Sequence, residues 1–197
     1  MTLNDLTELH NITHLKNLPS IFEHGILSHE RAKKVRHESV AMQEIQDRRA
    51  DVILPNNRKL HSYANVYVNA GNKMMSKIRA LHRDLCVLRI DKQILHKSTA
   101  IVADQNASSK YVRFSEGITG LGRISKDIVF ADSWLHPEDQ IAEWRHGSAI
   151  CAEVLILDRI PPDFIIGVYV SCEESANEVR NTYAGLNVTV NRSLFFQ

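Results

Sequence analysis

The sequence predicts an α+β fold. Segments that alternate apolar and polar residues, as strands do, are interleaved with segments of helical spacing, but without the repeated strand–helix cadence of a parallel doubly wound sheet. No internal repeat, low-complexity tract or Pro/Gly-rich linker divides the chain. Its 197 residues are enough to bury a substantial core. The sequence therefore predicts one domain that covers residues 1–197.

Caps and periodicity define the elements of the first half. Asn17 can cap a helix that includes Ile21, and Gly25 is suited to the position after its last turn. Alternation after residue 63 is typical of a strand. The predicted elements are, in order, a strand at 12–15, this helix from residue 18, a helix at 30–49, a loop at 55–58, a strand at 64–69, a helix at 72–81, a buried strand at 85–90 and a short helix near 93–96.

The second half begins with an irregular region. Residues 98–134 predict short strands and loops, with three glycines clustered between Gly117 and Gly122. Proline is tolerated in a first helical turn, so a helix can begin at Pro137 and run to about Arg145. The remaining elements are strands at 151–157 and 164–170, a helix at 173–183 and a last strand near 187–190.

Charge is distributed unevenly, although the formal net charge is only +1. Residues 29–97 contain 15 Lys and Arg against 7 Asp and Glu, a balance of +8, so the remainder carries −7. Lysine and arginine gain affinity for nucleic acids by neutralising phosphates, so the first half could contact a polyanion. Charge alone favours the plainer interpretation, which is solvated helix faces with a few ion pairs.

Composition also bears on where the protein acts. No apolar run reaches the length of a membrane span, and the first ten residues lack the basic and apolar stretches of a signal peptide. Cys86, Cys151 and Cys172 are scattered and form no CxxC pair. This usage indicates reduced thiols and a cytoplasmic protein.

Two patterns that often mark ligand sites are not specific here. His10 and His14 have i,i+4 spacing but lack the glutamate of an HExxH motif, and the other histidines are dispersed, so no metal site is predicted. The glycines from Gly117 to Gly122 are followed neither by Lys-Ser/Thr nor by a strand-to-helix junction. That excludes a P-loop and a dinucleotide fingerprint, and leaves a loop over a site or a surface turn.

Glu153 is a carboxylate within the apolar run Ile150–Leu157. Burying an unpaired charge is costly, so its side chain is expected to face a cleft or a partner, with an exposed strand edge as the alternative. Period-two alternation places it on the face of Cys151 and Leu155. The arginine pair at 48–49 closes a helix of mixed charge, where most such pairs are solvated.

Four segments, taken in order, resemble one known family. They are Asn11–Leu27, with an I-x-H strand, an N-L-P cap and a helix that ends in Gly-Ile; Ile45–Ala50, with Asp-Arg-Arg-Ala; Leu60–Met75, which begins Leu-His-Ser-Tyr; and Ile150–Ile156, with Cys-Ala-Glu-Val-Leu. Over nearly the whole chain, this order resembles the DarT DNA ADP-ribosyltransferase toxins. The resemblance implies an ADP-ribosyltransferase-like fold in which two antiparallel sheets form an NAD cleft with peripheral helices.

The resemblance also implies the reaction and its partners. NAD is the expected co-substrate, and a base of single-stranded DNA is the expected acceptor. A DarG-like macrodomain antitoxin that removes the modification is the expected protein partner. Alternatives are an RNA or protein acceptor, a catalytically inactive nucleic-acid-binding module, and an NAD hydrolase that releases free ADP-ribose.

Individual roles follow from the resemblance. Glu153 is the expected catalytic carboxylate, and Arg49 the catalytic arginine, with Arg48 as the second choice. NAD contacts are expected at His14, Asn17, Arg48 and Tyr67. Nucleic-acid contacts are expected at His61, Tyr63, Lys110, Arg113 and Arg123, the last three in a loop at 104–125 that covers the acceptor.

The chain departs from the family pattern between residues 62 and 75. Ser62 stands where the family usually has Asp, and Ala64-Asn-Val stands for Val-Pro-Phe. A Ser-Pro-Met element is replaced by Gly71-Asn-Lys-Met-Met75. These positions shape the nucleotide and target pockets, so the changes leave the target base open more than the use of NAD.

Overall fold

A computed structural model describes all residues 1–197, and ten strands carry its architecture. The strands are β1 (Leu9–His14), β2 (Ile26–Leu27), β3 (Tyr63–Tyr67), β4 (Leu85–Ile90), β5 (Ile101–Ala103), β6 (Phe114–Glu116), β7 (Glu153–Leu157), β8 (Arg159–Ile160), β9 (Ile165–Val170) and β10 (Val188–Val190). Eight of them form one sheet in the order β10-β9-β4-β1-β3-β7-β5-β6, and β2 pairs with β8 in a separate ribbon.

The sheet is antiparallel except at one edge, where β10 runs parallel to β9. The predicted α+β class is confirmed. The two predicted sheets are one large sheet and the small β2–β8 ribbon. Because β7 pairs with β3 on one side and β5 on the other, residues of β7 lie in the interior of the sheet.

Seven α-helices surround the strands. They are α1 (Leu18–His24), α2 (His29–Ala32), α3 (Gln43–Ala50), α4 (Lys73–Ile78), α5 (Lys126–Val129), α6 (Gln140–Ala149) and α7 (Glu173–Thr182). Gly25 ends α1 at φ +85°, and a Cβ there would lie 2.2 Å from the carbonyl oxygen of Ile160 in β8. None of these helices combines the length and the hydrophobicity needed to cross a membrane.

The helix predicted at 30–49 is wrong as one element. The structure has α2 and α3 there, with residues 33–42 between them in turns and irregular backbone. The apolar residues of this stretch, Val35, Val40 and Ile45, are five apart, a spacing that does not form one helical stripe. A short helix without an apolar face to bury is marginal in water.

Other boundaries differ by smaller amounts. The strand at 85–90 is confirmed at both ends. The helix predicted from Pro137 begins at Gln140 instead, because the Asp139 side chain accepts a hydrogen bond from the amide of Ala142 and so caps the helix there.

The side chains of residues 150–157 alternate between the two faces of the strand, and this decides on which face Glu153 lies. Ala152, Val154 and Ile156 pack into the main apolar core, a cluster of 28 buried residues. Cys151 and Leu155 belong to two other clusters. The face that Glu153 was predicted to share with Cys151 and Leu155 is therefore turned away from the main core.

Candidate active site

A cleft of about 1690 Å³ lies against β1 and β3. Its lining also includes residues of α2, α3, the segment 33–42, the loop 105–111 and α6. Basic residues outnumber acidic ones along its surface. The Lys and Arg residues of the lining are Arg48, Arg49, Lys73, Lys77, Lys110 and Arg145, and the acids are Glu38 and Asp51. A concave surface with this charge attracts anionic ligands.

Arg49 and Glu153 form a buried ion pair at the floor of this cleft. Nη1 of Arg49 donates to both carboxylate oxygens, at 3.0 and 3.1 Å, and the amide of Ala107 donates to Oε1 at 3.0 Å. Glu153 has no exposed surface, whereas Arg49 is 7% exposed and lines the cleft. The carboxylate therefore faces the cleft through Arg49, and the alternative of an exposed strand edge is wrong.

Strand pairing fixes the position of the carboxylate. Glu153 is the first residue of β7, opposite Tyr67 of β3 and Ala103 of β5. Arg49 comes from the last turn of α3, where a positive side chain interacts favourably with the negative end of the helix dipole. Two elements that are distant in sequence thus place the two charges in contact.

Burial and charge act in opposite directions on these groups. Burial lowers the pKa of Arg49, but the charge of Glu153 and the hydrogen bonds to it outweigh burial, so the pKa of Arg49 is raised. Burial, and then the charge of Glu153, raises the pKa of Tyr67, whose hydroxyl donates to Sδ of Met74 at 3.0 Å. Arg49 is therefore charged and Tyr67 neutral at physiological pH.

Asn17 anchors one wall of the cleft. Its Nδ2 donates to the carbonyl of Glu38 at 2.8 Å and to Oγ1 of Thr13 at 3.0 Å. Its Oδ1 accepts from the amide of Glu38 at 2.8 Å. Asn17 lines the cleft as predicted for an NAD-binding residue, but the structure shows its carboxamide holding the segment 33–42.

His61 lies on the same side of the cleft as Arg49 and stacks on His29, with ring centroids 4.0 Å apart. Burial, and then the charges of His29 and Arg49, lowers the pKa of His61 to about 4. Burial also lowers the pKa of His29. Nε2 of His61 and Oε1 of Gln46 are buried without a hydrogen-bond partner. Two side chains of the cleft lining thus each have a buried polar atom without a protein partner.

Three more predicted residues lie along the cleft. They are Arg48, Tyr63 and Lys110. Arg48 is half exposed and lies 3.8 Å from Glu44 on the same helix. The hydroxyl of Tyr63 accepts from Nδ2 of Asn56 at 2.8 Å, and its ring is buried.

The structure does not bring His14, Arg113 or Arg123 into the cleft lining. Nδ1 of His14 accepts from the amide of Lys16 at 3.1 Å. Arg113 donates to Asp104 at 2.7 Å on the surface, and Arg123 is exposed on a 3-10 turn. The contacts expected of these three residues with NAD or DNA stay predictions.

Relatives in sequence identify the family. The sequence profile described as "ssDNA thymidine ADP-ribosyltransferase, DarT" matches residues 10–196. The chain belongs to the DarT family. Over 191 residues it is 27% identical to a "DNA ADP-ribosyl transferase-DNA ADP-ribosyl glycohydrolase fusion protein" of Thermosipho africanus (strain H17ap60334), a match that covers 93% of this chain. The DarT-family chain spans about half, 47%, of the length of that relative.

Two solved structures of Thermus sp. 2.9 DarT share the fold. One, in complex with ADP-ribosylated ssDNA, gives a TM-score of 0.85 at 20% identity and covers 99% of both chains. The other, in complex with NAD+, gives a TM-score of 0.78 at 20% identity and covers 96% of this chain and 97% of the Thermus chain. The DarT-type fold predicted from the sequence is confirmed.

Sequence reasoning missed the wall that α6 provides. Ile141, Trp144, Arg145 and Ser148 line the cleft, and their i, i+3, i+4, i+7 spacing places them on one helical face. The spacing is visible in the sequence, but stripes that pack into a core have the same spacing. The sequence therefore could not distinguish a cleft wall from a core contact.

Proposed function

We propose that this DarT-family chain transfers ADP-ribose from NAD to a thymidine base of single-stranded DNA. The Arg49–Glu153 pair at the floor of a basic cleft carries the proposal, in a chain whose family is described by that activity. The Thermosipho africanus relative is a DNA ADP-ribosyl transferase joined to a glycohydrolase, and the Thermus structures contain NAD+ and ADP-ribosylated ssDNA. These relatives support the same donor and acceptor here.

The residues of the cleft fit NAD. Common small-molecule sites measure about 300–1,000 Å³, so a cleft of about 1690 Å³ has room for a dinucleotide and an acceptor nucleotide. The guanidinium fork of Arg49 suits a pyrophosphate.

NAD supplies a ribose whose bond to nicotinamide breaks, with positive charge developing at the ribose carbon. Glu153 stabilises that charge, holds a ribose hydroxyl and takes the proton that the attacking base loses. Arg49 holds the pyrophosphate or the carbonyl of the base. Because Glu153 is fully buried behind Arg49, its contact with the ribose requires Arg49 to exchange the carboxylate for an anionic or carbonyl oxygen of a substrate.

We also infer a DarG-like macrodomain as partner and the cytoplasm as the place of action. The Thermosipho africanus relative combines the transferase with a glycohydrolase in one chain, which supports a partner that reverses the modification. Cys86, Cys151 and Cys172 are buried free thiols, as expected in a reducing compartment.

Mass spectrometry of oligonucleotides incubated with NAD tests the function. The expected product is a thymidine-containing DNA strand that carries one ADP-ribose, with no product on the same strand lacking thymidine. RNA of the same sequence and NAD without polymer are the other arms. Modification of RNA alone, or ADP-ribose released at an equal rate without polymer, contradicts the proposal.

A further inference from the structure

The α6 wall of the cleft presents an unpartnered apolar face. Ile141 and Trp144 are each 59% exposed, although both lie on the helical face that lines the cleft. Arg145 lies on the same face and adds a positive charge. A stripe of this spacing normally packs into a core. Here it borders open space instead.

The loop 105–111 lies beside α6 and joins it to the catalytic pair. The amide of Asn106 donates to the carbonyl of Ser148 in α6 at 2.9 Å, and the next amide, of Ala107, donates to Glu153. At the far end of the loop Tyr111 is 84% exposed, next to Lys110. The loop is thus hydrogen-bonded both to α6 and to the Glu153 carboxylate, and its far end is exposed on the surface.

The location of the exposed aromatic rings argues against chance. Single exposed apolar residues are ordinary on a protein surface. The exposed large aromatics of the molecule are Tyr111, Trp144, Phe130 and Phe196, and the two most exposed, Tyr111 and Trp144, both line the cleft. Trp144 is followed by Arg145, and Tyr111 is preceded by Lys110. Both cations belong to the cleft lining. Aromatic rings alternating with cations are the features that bind single-stranded nucleic acid.

We propose that Trp144 and Tyr111 stack on the bases next to the target thymidine, while Arg145 and Lys110 bind the adjoining phosphates. This inference rests on the proposed function. Because a stacked ring contacts the face of a base and not its hydrogen-bonding edge, the neighbouring positions are selected by stacking area. Every base is therefore accepted there, and an abasic position is accepted least.

Enzyme and substrate changes combined test the inference. The substrates are oligonucleotides that contain one thymidine. In each of them, one position on either side of the thymidine carries either a base or an abasic spacer. For one neighbouring position, Trp144→Ala raises the KM for the intact oligonucleotide about 5- to 150-fold, the equivalent of about 1–3 kcal/mol. On the strand with the spacer at that position, the variant and the unchanged protein have the same KM, because the lost contact is the same.

Matched variants separate stacking from folding. Trp144→Phe keeps a ring and retains most of the affinity, whereas Leu135→Ala, at an equally exposed apolar residue outside the cleft, leaves the KM unchanged. Tyr111→Ala removes the second ring at a position too exposed to unfold the protein, and raises the KM for the strand with a base at the position it contacts. Leu135→Ala also leaves kcat and the KM for NAD unchanged, because its side chain lies outside the cleft.

Two results overturn the inference without touching the proposed function. In one, the unchanged protein transfers ADP-ribose, but neither Trp144→Ala nor Tyr111→Ala changes the KM for the oligonucleotide. The other is a loss that persists on the strand with the spacer, which indicates a structural effect or a protein-docking role of α6. Failure of the proposed function looks different, because the unchanged protein then modifies none of the oligonucleotides.

Discussion

Two arginine–glutamate pairs are buried in this molecule, and only one of them borders the cleft. The first is Arg49 with Glu153. In the second, Nε of Arg89 in β4 donates to Glu8 at 2.8 Å, with the side chains 18% and 4% exposed. The two pairs are similar in distance, and the pair at the cleft is the more buried of the two.

The carboxylate of Glu8 is held by several side chains of its own surroundings. Nε2 of His10 lies 3.3 Å from its carboxylate, and the guanidinium of Arg89 lies 4.8 Å from the ring centroid of Tyr169. Burial raises the pKa of Glu8, but hydrogen bonds from His10, Tyr169 and Arg89 together lower it. A buried pair is thus not evidence of catalysis by itself. What distinguishes Arg49 is that it lines a cleft where a substrate can replace its partner.

Removing the arginine is expected to give the largest change, in both pairs. Breaking a buried ion pair leaves an uncompensated charge and costs about 3–5 kcal/mol of unfolding free energy. Arg49→Ala is expected near the upper end, since Glu153 is fully buried, and Arg89→Ala near the lower end. Urea unfolding measures both, with Arg180→Ala, from an exposed pair, as a control expected at about 0–1 kcal/mol.

Transfer activity distinguishes the two arginines more sharply than the free energy of unfolding does. Below the unfolding transition, Arg49→Ala and Arg49→Lys both lose transfer, while Arg89→Ala keeps it. If Arg49→Lys stays folded and fully active, the role moves to Arg48, the half-exposed arginine before it.

The second-largest effect is expected from neutralising each glutamate with little change of shape. Glu153→Gln lowers the rate of transfer on the order of 10²–10³-fold, because it removes a charge that acts in the transition state. Glu8→Gln leaves the rate unchanged and lowers only the free energy of unfolding. Initial rates with NAD and a thymidine oligonucleotide give the comparison. Equal rates for Glu153→Gln and the unchanged protein would contradict the assignment of Glu153.

The smallest effect is a pH dependence that belongs to the cleft. The pKa of His61 is about 4 in the folded protein against 6.5 for an unperturbed histidine, so between these values the unfolded chain binds a proton that the folded chain does not. The free energy of unfolding therefore falls as the pH decreases from 6.5 towards 4, and His61 adds no slope above 6.5. His61→Asn flattens the slope in this window in urea titrations at several pH values. An unchanged slope means that His61 does not titrate as the structure implies.

Local patterns predicted much of the fold. Apolar runs located β4 at both ends, and the cost of burying a charge indicated that Glu153 needed a partner. The break between α2 and α3 was not predicted, although the spacing of Val35, Val40 and Ile45 was visible. Apolar residues spaced five apart do not lie on one helical face. The polar residues between them carry no signal that marks where the helix breaks.

The site could be predicted only in part, because it is formed by residues that are far apart in the sequence. Arg49 and Glu153 are 104 residues apart, and Arg89 and Glu8 are 81 apart, so no local pattern distinguishes the pair at the cleft from the other. The apolar run around Glu153 singled out that carboxylate, but only the family resemblance pointed to Arg49. The resemblance did not extend to the exposed face of α6, because an apolar stripe has the same spacing in a core as beside a cleft.

The hydrogen bonds between Asn17 and Glu38 affect which parts of this protein can change during evolution. The segment 33–42 forms no strand, and its long-range hydrogen bonds are those between Glu38 and Asn17. Substitutions, insertions and exchanges along the segment therefore leave the sheet intact, provided that the link to Asn17 is kept. Glu153, held between β3 and β5, has no such freedom. Selection can thus reshape what the cleft admits while the reaction itself is inherited unchanged.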